Sequence, residues 1–88
     1  MTQKTSSTSF VFAGRFAGAG TIQITNSGAY DLDYEFRTIS RKPGSLRPGE
    51  ATSWTIFPYT EVFFKSQMQG IEVAIDLRIT NGFFPFST

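Results

Sequence analysis

Tyr30-Asp31-Leu32-Asp33-Tyr34-Glu35-Phe36-Arg37 and Ile71-Glu72-Val73-Ala74-Ile75-Asp76-Leu77-Arg78-Ile79 are the two stretches that decide the fold. Apolar side chains take every second position, and charged ones take nearly every position between. Successive side chains of a strand point to opposite faces, so this alternation predicts strands with one dry face and one charged face. No long window elsewhere shows a helical period.

Turn chemistry divides the rest of the chain. Gly14 interrupts a first strand, Ser9 to Phe16, and Ala17-Gly18-Ala19-Gly20 is the expected turn into a second, Thr21 to Thr25. Asn26-Ser27-Gly28-Ala29 reads as a hairpin turn, because Asn and Gly tolerate positive φ. A third strand is expected from Tyr30 to about Ser40. Pro-Gly turns follow at Pro43-Gly44 and Pro48-Gly49. A fourth strand covers Ala51 to Phe57, a fifth Thr60 to Gln67, and a sixth Ile71 to Thr80. Phe83-Phe84-Pro85-Phe86 forms an apolar tail. Short strands at this spacing predict an all-β fold, a single antiparallel β-sandwich of six or seven strands with immunoglobulin-like order. Residues 1–8, rich in Ser and Thr, are expected to be a flexible N-terminal arm, and 9–88 the sandwich domain.

Ile22-Gln23-Ile24-Thr25-Asn26, Tyr30-Asp31-Leu32, and Leu46-Arg47-Pro48-Gly49-Glu50 leading into Ser53-Trp54-Thr55-Ile56 resemble the start of two β-sandwich families, the aegerolysins and the thaumatin-like proteins. The resemblance covers the middle of the chain. It implies a sandwich and carries over no site residues. The chain is shorter than either family and lacks the cysteines typical of thaumatin-like proteins.

Composition bounds the chemistry. With 88 residues the chain makes one domain, which buries only roughly 60–65% of its extended surface. It has no cysteine and no histidine. Disulfides, thiolate or imidazole metal sites, cysteine nucleophiles and Ser-His-Asp triads are therefore excluded. No Gly-rich phosphate loop is present. Asp31, Asp33 and Glu35 are the only clustered acids, about 7 Å apart per step along one strand face. They are expected to form a solvated face balanced by Arg37, Lys65 and Arg78, rather than a glycosidase pair or a calcium site. The chain is expected to be no enzyme, and no metal or cofactor is expected. The net charge of +1 offers nothing to attract nucleic acid. The polar start lacks an apolar signal core, and no apolar run reaches the roughly 20 residues of a spanning helix. A cytoplasmic protein, or one released without a classical signal peptide, is expected.

Ten phenylalanines among 16% aromatic residues are a large apolar load for so small a domain. Ile39, Phe57, Tyr59, Phe63, Phe83, Phe84 and Phe86 do not fit the inner face defined by the alternating strands. Val62-Phe63-Phe64 puts bulk on both faces of one strand. These features predict a non-enzymatic binding or assembly module, a homo-oligomer with Phe57, Phe63, Phe83, Phe84 and Phe86 at its interface. Trp54 and Tyr59, with a basic turn of Arg41, Lys42 and Arg47, are the candidate ligand-binding residues, lectin-like, for a carbohydrate or protein surface. The alternatives are a membrane-active, toxin-like sandwich and a structural, capsid-type subunit.

Overall fold

A computed structural model describes residues 2–80 and 83–85, with side chains for 4–79. Eight strands form two four-stranded antiparallel sheets: β1 (Thr2–Thr5), β2 (Val11–Phe16), β3 (Gly20–Asn26), β4 (Leu32–Arg37), β5 (Arg41–Leu46), β6 (Ala51–Ile56), β7 (Glu61–Ser66) and β8 (Val73–Thr80). A three-residue strand, β9 (Phe83–Pro85), extends the second sheet. The first sheet runs β1-β8-β3-β6 and the second β5-β4-β7-β2-β9.

The pairing is nested. β1 pairs with β8, β2 with β7, β3 with β6 and β4 with β5, all antiparallel. The chain is a two-stranded ribbon folded about the turn at 38–40 and rolled so that alternate pairs fall in opposite sheets, a jelly roll. The expected immunoglobulin-like order does not hold. That order keeps the first two strands in one sheet, whereas β1 and β2 lie in opposite sheets.

Two strands beyond the expected set account for the larger count. Thr2–Thr5, read as part of an arm, pairs with Val73–Asp76. Arg41–Leu46, read as a Pro-Gly turn, is an edge strand paired with all of β4. An edge strand tolerates Pro43, whose missing N–H faces away from the ladder. Gly44 is required there for another reason: the Tyr34 ring lies over it, and an added Cβ would collide with the Tyr34 ring and hydroxyl. The chain reverses instead at Thr38-Ile39-Ser40, where the Thr38 N–H donates to the Ser40 carbonyl at 2.9 Å.

The core lies between the sheets. Leu32, Tyr34 and Phe36 of β4 and Val73, Ile75 and Leu77 of β8 are buried, as their alternation requires, with Ile22, Ile24, Ile56, Val62 and Phe64. β2 departs from simple alternation. Its register against β7 shifts between Phe12 and Gly14. This irregularity turns Ala13 and Phe16 into the core and leaves Phe12 beside Phe63 on the outer face, ring centroids 5.6 Å apart. Asn26-Ser27-Gly28-Ala29 is not a hairpin turn, because β3 and β4 belong to different sheets.

Candidate functional site

The strand directions gather three connections at one end of the sandwich: 17–19, 38–40 and 57–60. Three of the largest exposed apolar side chains lie on two of them. Ile39 is fully exposed, Phe57 is 73% exposed and Tyr59 is 68% exposed. Between these tips a small cleft opens at the side of the sandwich. Phe36, Trp54, Ile56 and Phe57 supply its apolar walls, and Lys42 with the hydroxyls of Thr38, Ser40 and Thr60 supplies polar groups. Its volume is about 40 Å³.

Trp54 sits on β6, an edge strand, in phase with the buried Ile56. It remains 37% exposed because no strand lies beyond it. Its ring meets Phe36 edge-on, with centroids 5.7 Å apart. It is therefore a wall of the cleft rather than a plug at the centre of the core.

Tyr59 is held in an unusual backbone conformation. Phe57-Pro58-Tyr59-Thr60 closes with the Thr60 N–H donating to the Phe57 carbonyl at 3.3 Å, and Tyr59 has φ of 66°. This is the turn position that glycine normally fills. Two other turns of the chain follow that rule, with Gly49 at φ 83° and Gly70 at φ 76°. A left-handed conformation costs a side-chain-bearing residue about 1–2 kcal/mol. The Tyr59 N–H donates to the Phe16 carbonyl at 2.8 Å, and the Phe16 N–H to the Thr60 carbonyl at 2.9 Å, so the turn is pinned to β2. Tyr59→Gly is expected to raise stability by about 0.5–1 kcal/mol, the relief of strain exceeding the chain entropy that glycine adds. A urea titration reads this directly, and a loss of stability would mean that the ring packs to the benefit of the fold.

The anticipated basic turn is divided. Arg41 and Lys42 lie at the end that carries the cleft. Arg47 follows the far end of β5, about 20 Å away at the rise of a strand. Arg37 pairs with Arg41 at the cleft end, but its side chain is engaged on the outer face of the sheet. Its Nε lies 2.6 Å from Glu35 Oε2, and its guanidinium lies 4.0 Å from the centre of the Phe63 ring. Phe63, expected at a subunit interface, is half-buried under Arg37 and Phe12 of its own chain. The backbones of Phe83 and Phe84 pair with Phe16 and Arg15. Their side chains, and Phe86 altogether, lie outside the described residues.

The acids of β4 are engaged rather than free. Asp33 Oδ1 accepts from Ser45 Oγ at 2.6 Å and Gln67 Nε2 at 2.8 Å, and Oδ2 lies 3.6 Å from Lys65 Nζ. Asp33, Ser45 and Lys65 line a shallow hollow of about 360 Å³ with Phe10, Pro43 and Gly44, a feature that the strand pattern did not indicate. Arg78 lies on the other sheet and does not balance these acids.

Charge is distributed unevenly along the strands. Dividing the sheets at Ile24 and between Tyr34 and Glu35, the half that carries the cleft holds Arg15, Arg37, Arg41, Lys42 and Arg78 against Glu35 and Glu61. The other half holds Lys4, Arg47 and Lys65 against Asp31, Asp33, Glu50, Glu72 and Asp76. A net charge of +1 therefore conceals a positive end and a negative end. No protein-family model, no curated protein sequence and no solved structure matches the chain.

Proposed function

We propose that the protein is a non-enzymatic binding module, an oligomeric β-sandwich that recognises a carbohydrate or protein surface in the manner of a lectin. The observation that supports this reading most is Tyr59, an exposed aromatic ring kept on a backbone conformation that costs stability. Strain of this kind concentrates at functional positions. Beside it stand Phe57 and the Trp54 cleft. Exposed rings stack on the apolar face of a sugar or on a partner's aliphatic side chains, while Lys42 and the neighbouring hydroxyls supply hydrogen bonds that orient the ligand. A glycan array and a protein-capture screen identify the ligand. Tyr59→Gly and Phe57→Ser are then expected to lose binding by about tenfold or more without a lower melting temperature. Full binding by both variants would remove the recognition site from this end.

A second reading, a membrane-active protein, draws on the charge distribution. The exposed Ile39, Phe57 and Tyr59 lie at the positive end, next to Arg41 and Lys42. Apolar tips collared by basic residues suit the headgroup layer of an anionic bilayer. Flotation with anionic but not neutral liposomes is the expected result of this reading, and no association with either would end it.

A further inference from the structure

The described strands present four sheet edges, and three carry features that discourage pairing with another chain. β1 has Lys4, β5 has Arg41, Lys42 and Pro43, and β9 is three residues long with Pro85 at its end. β6 differs. Ala51-Thr52-Ser53-Trp54-Thr55-Ile56 has no charge and no proline, and β3 pairs with only one of its sides. An edge of this composition is a template for another strand.

We propose that β6 pairs antiparallel with β6 of a second copy of this chain, and that the partner's Glu50 completes the cleft formed by Trp54 and Lys42. This inference rests on the reading of the protein as an oligomeric binding module and names the surface that assembles it. Antiparallel pairing of one strand with itself gives a closed, two-fold dimer and one continuous eight-stranded sheet. It also sets the positive half of each subunit beside the negative half of the other. Parallel pairing would bring like halves together.

Opposed residues of an antiparallel pair share a face, so the two-fold axis sets residues of one phase opposite each other: pairing centred on Ser53 puts Ile56 opposite the partner's Glu50 and Trp54 opposite the partner's Thr52. The partner's Glu50 then falls beside Ile56 and in phase with it, at the mouth of the cleft that Lys42, Ile56 and Phe57 line. Glu50 is exposed, and its Oε1 accepts from the Arg47 N–H at 2.7 Å, which holds the carboxylate in place. In a single chain the cleft encloses about 40 Å³, far below the roughly 300–1,000 Å³ of a ligand pocket. The partner supplies the missing wall and a carboxylate opposite the Lys42 ammonium.

The test is the molar mass in solution by light scattering and sedimentation equilibrium, across a wide concentration range and at low and high salt. A dimer of the 9.8 kDa chain is expected, weakened by salt. Ser53→Lys and Thr55→Lys, at exposed positions of β6, are expected to give monomers with unchanged circular dichroism. Lys42→Glu and Glu50→Lys are each expected to weaken the dimer by about tenfold, and the double exchange to restore it. A dimer that persists in both β6 lysine variants would uphold the oligomeric reading and overturn pairing through β6. A monomer at every concentration would overturn both, while ligand binding at the Tyr59 end would still be measured independently. Failure of the double exchange to restore the dimer would overturn the part assigned to Glu50.

Discussion

Asn26→Asp is expected to lower stability by about 5 kcal/mol at neutral pH, comparable to the whole stability of a domain this size. Asn26 is fully buried at the end of β3. Its Nδ2 donates to the Tyr30 carbonyl at 2.8 Å and to the Leu46 carbonyl at 3.0 Å, and its Oδ1 accepts from the Gly28 N–H at 3.0 Å. Its backbone N–H donates to the Glu50 carbonyl at 2.9 Å, and its carbonyl accepts from the Gly49 N–H at 2.8 Å. One side chain therefore ties the crossing between the sheets to the turn between β5 and β6. Aspartate keeps the shape but replaces the donor with an acceptor, burying a charge against two carbonyl oxygens. Asn26→Ala removes three hydrogen bonds without adding a charge and is expected to cost about 3 kcal/mol. Protonation of the introduced carboxylate removes the charge. Its loss is favoured by the folded state, so the deficit of Asn26→Asp should shrink as pH falls towards the ordinary carboxylate range, about 4. Urea titrations of both variants at neutral and acidic pH measure this. Losses below about 1 kcal/mol would mean that water replaces the amide and that the loops hold without it.

Leu77→Ala and Ile75→Ala are each expected to cost about 2–5 kcal/mol, as large-to-small core changes do. Both side chains are buried on β8, which is paired on both sides by β1 and β3. Leu77 stands opposite Ile24, and Ile75 opposite Asn26. A void there is bordered by both sheets and cannot collapse by moving a surface loop. Glu72 precedes the same strand but is exposed, 3.7 Å from an equally exposed Lys4. Glu72→Ala is expected to cost under about 0.5 kcal/mol. Equal losses in the two classes would contradict the assignment of the inner face of β8.

The alternating stretches made the core legible because burial in a strand is a period-two property of neighbouring residues. The strand order was not legible. Gly, Pro and Asn show where the chain turns, but not which sheet receives the next strand, and the immunoglobulin-like and jelly-roll orders share that local chemistry. Pro43-Gly44 misled for a related reason. Its turn preference is local, whereas its place beside Tyr34 on a sheet edge is set by residues distant in sequence. Asn26 was read for its tolerance of positive φ but serves as a buried donor and acceptor. At the candidate site, Trp54, Phe57, Tyr59 and Lys42 converge because they flank reversals at one end. Arg47 lies one strand length away from that end. The bulk on both faces of β7 pointed to an outside partner for Phe63. The irregularity in β2 and the guanidinium of Arg37 supply part of that cover from within and leave Phe63 half-buried.

The nested pairing also imposes an order of assembly. Only the turn at 38–40 separates β4 from β5, so this innermost pair closes with the smallest loss of chain entropy. Each outer pair can form readily only after the one within it has brought its ends together, and β1 joins β8 last. Such non-local strand pairing belongs to the millisecond-to-second range of folding. The last step also guards the molecule, because β1 is what covers the free side of β8. A chain that loses β1 keeps its three inner pairs and bares the edge of its most regularly alternating strand to any other chain nearby.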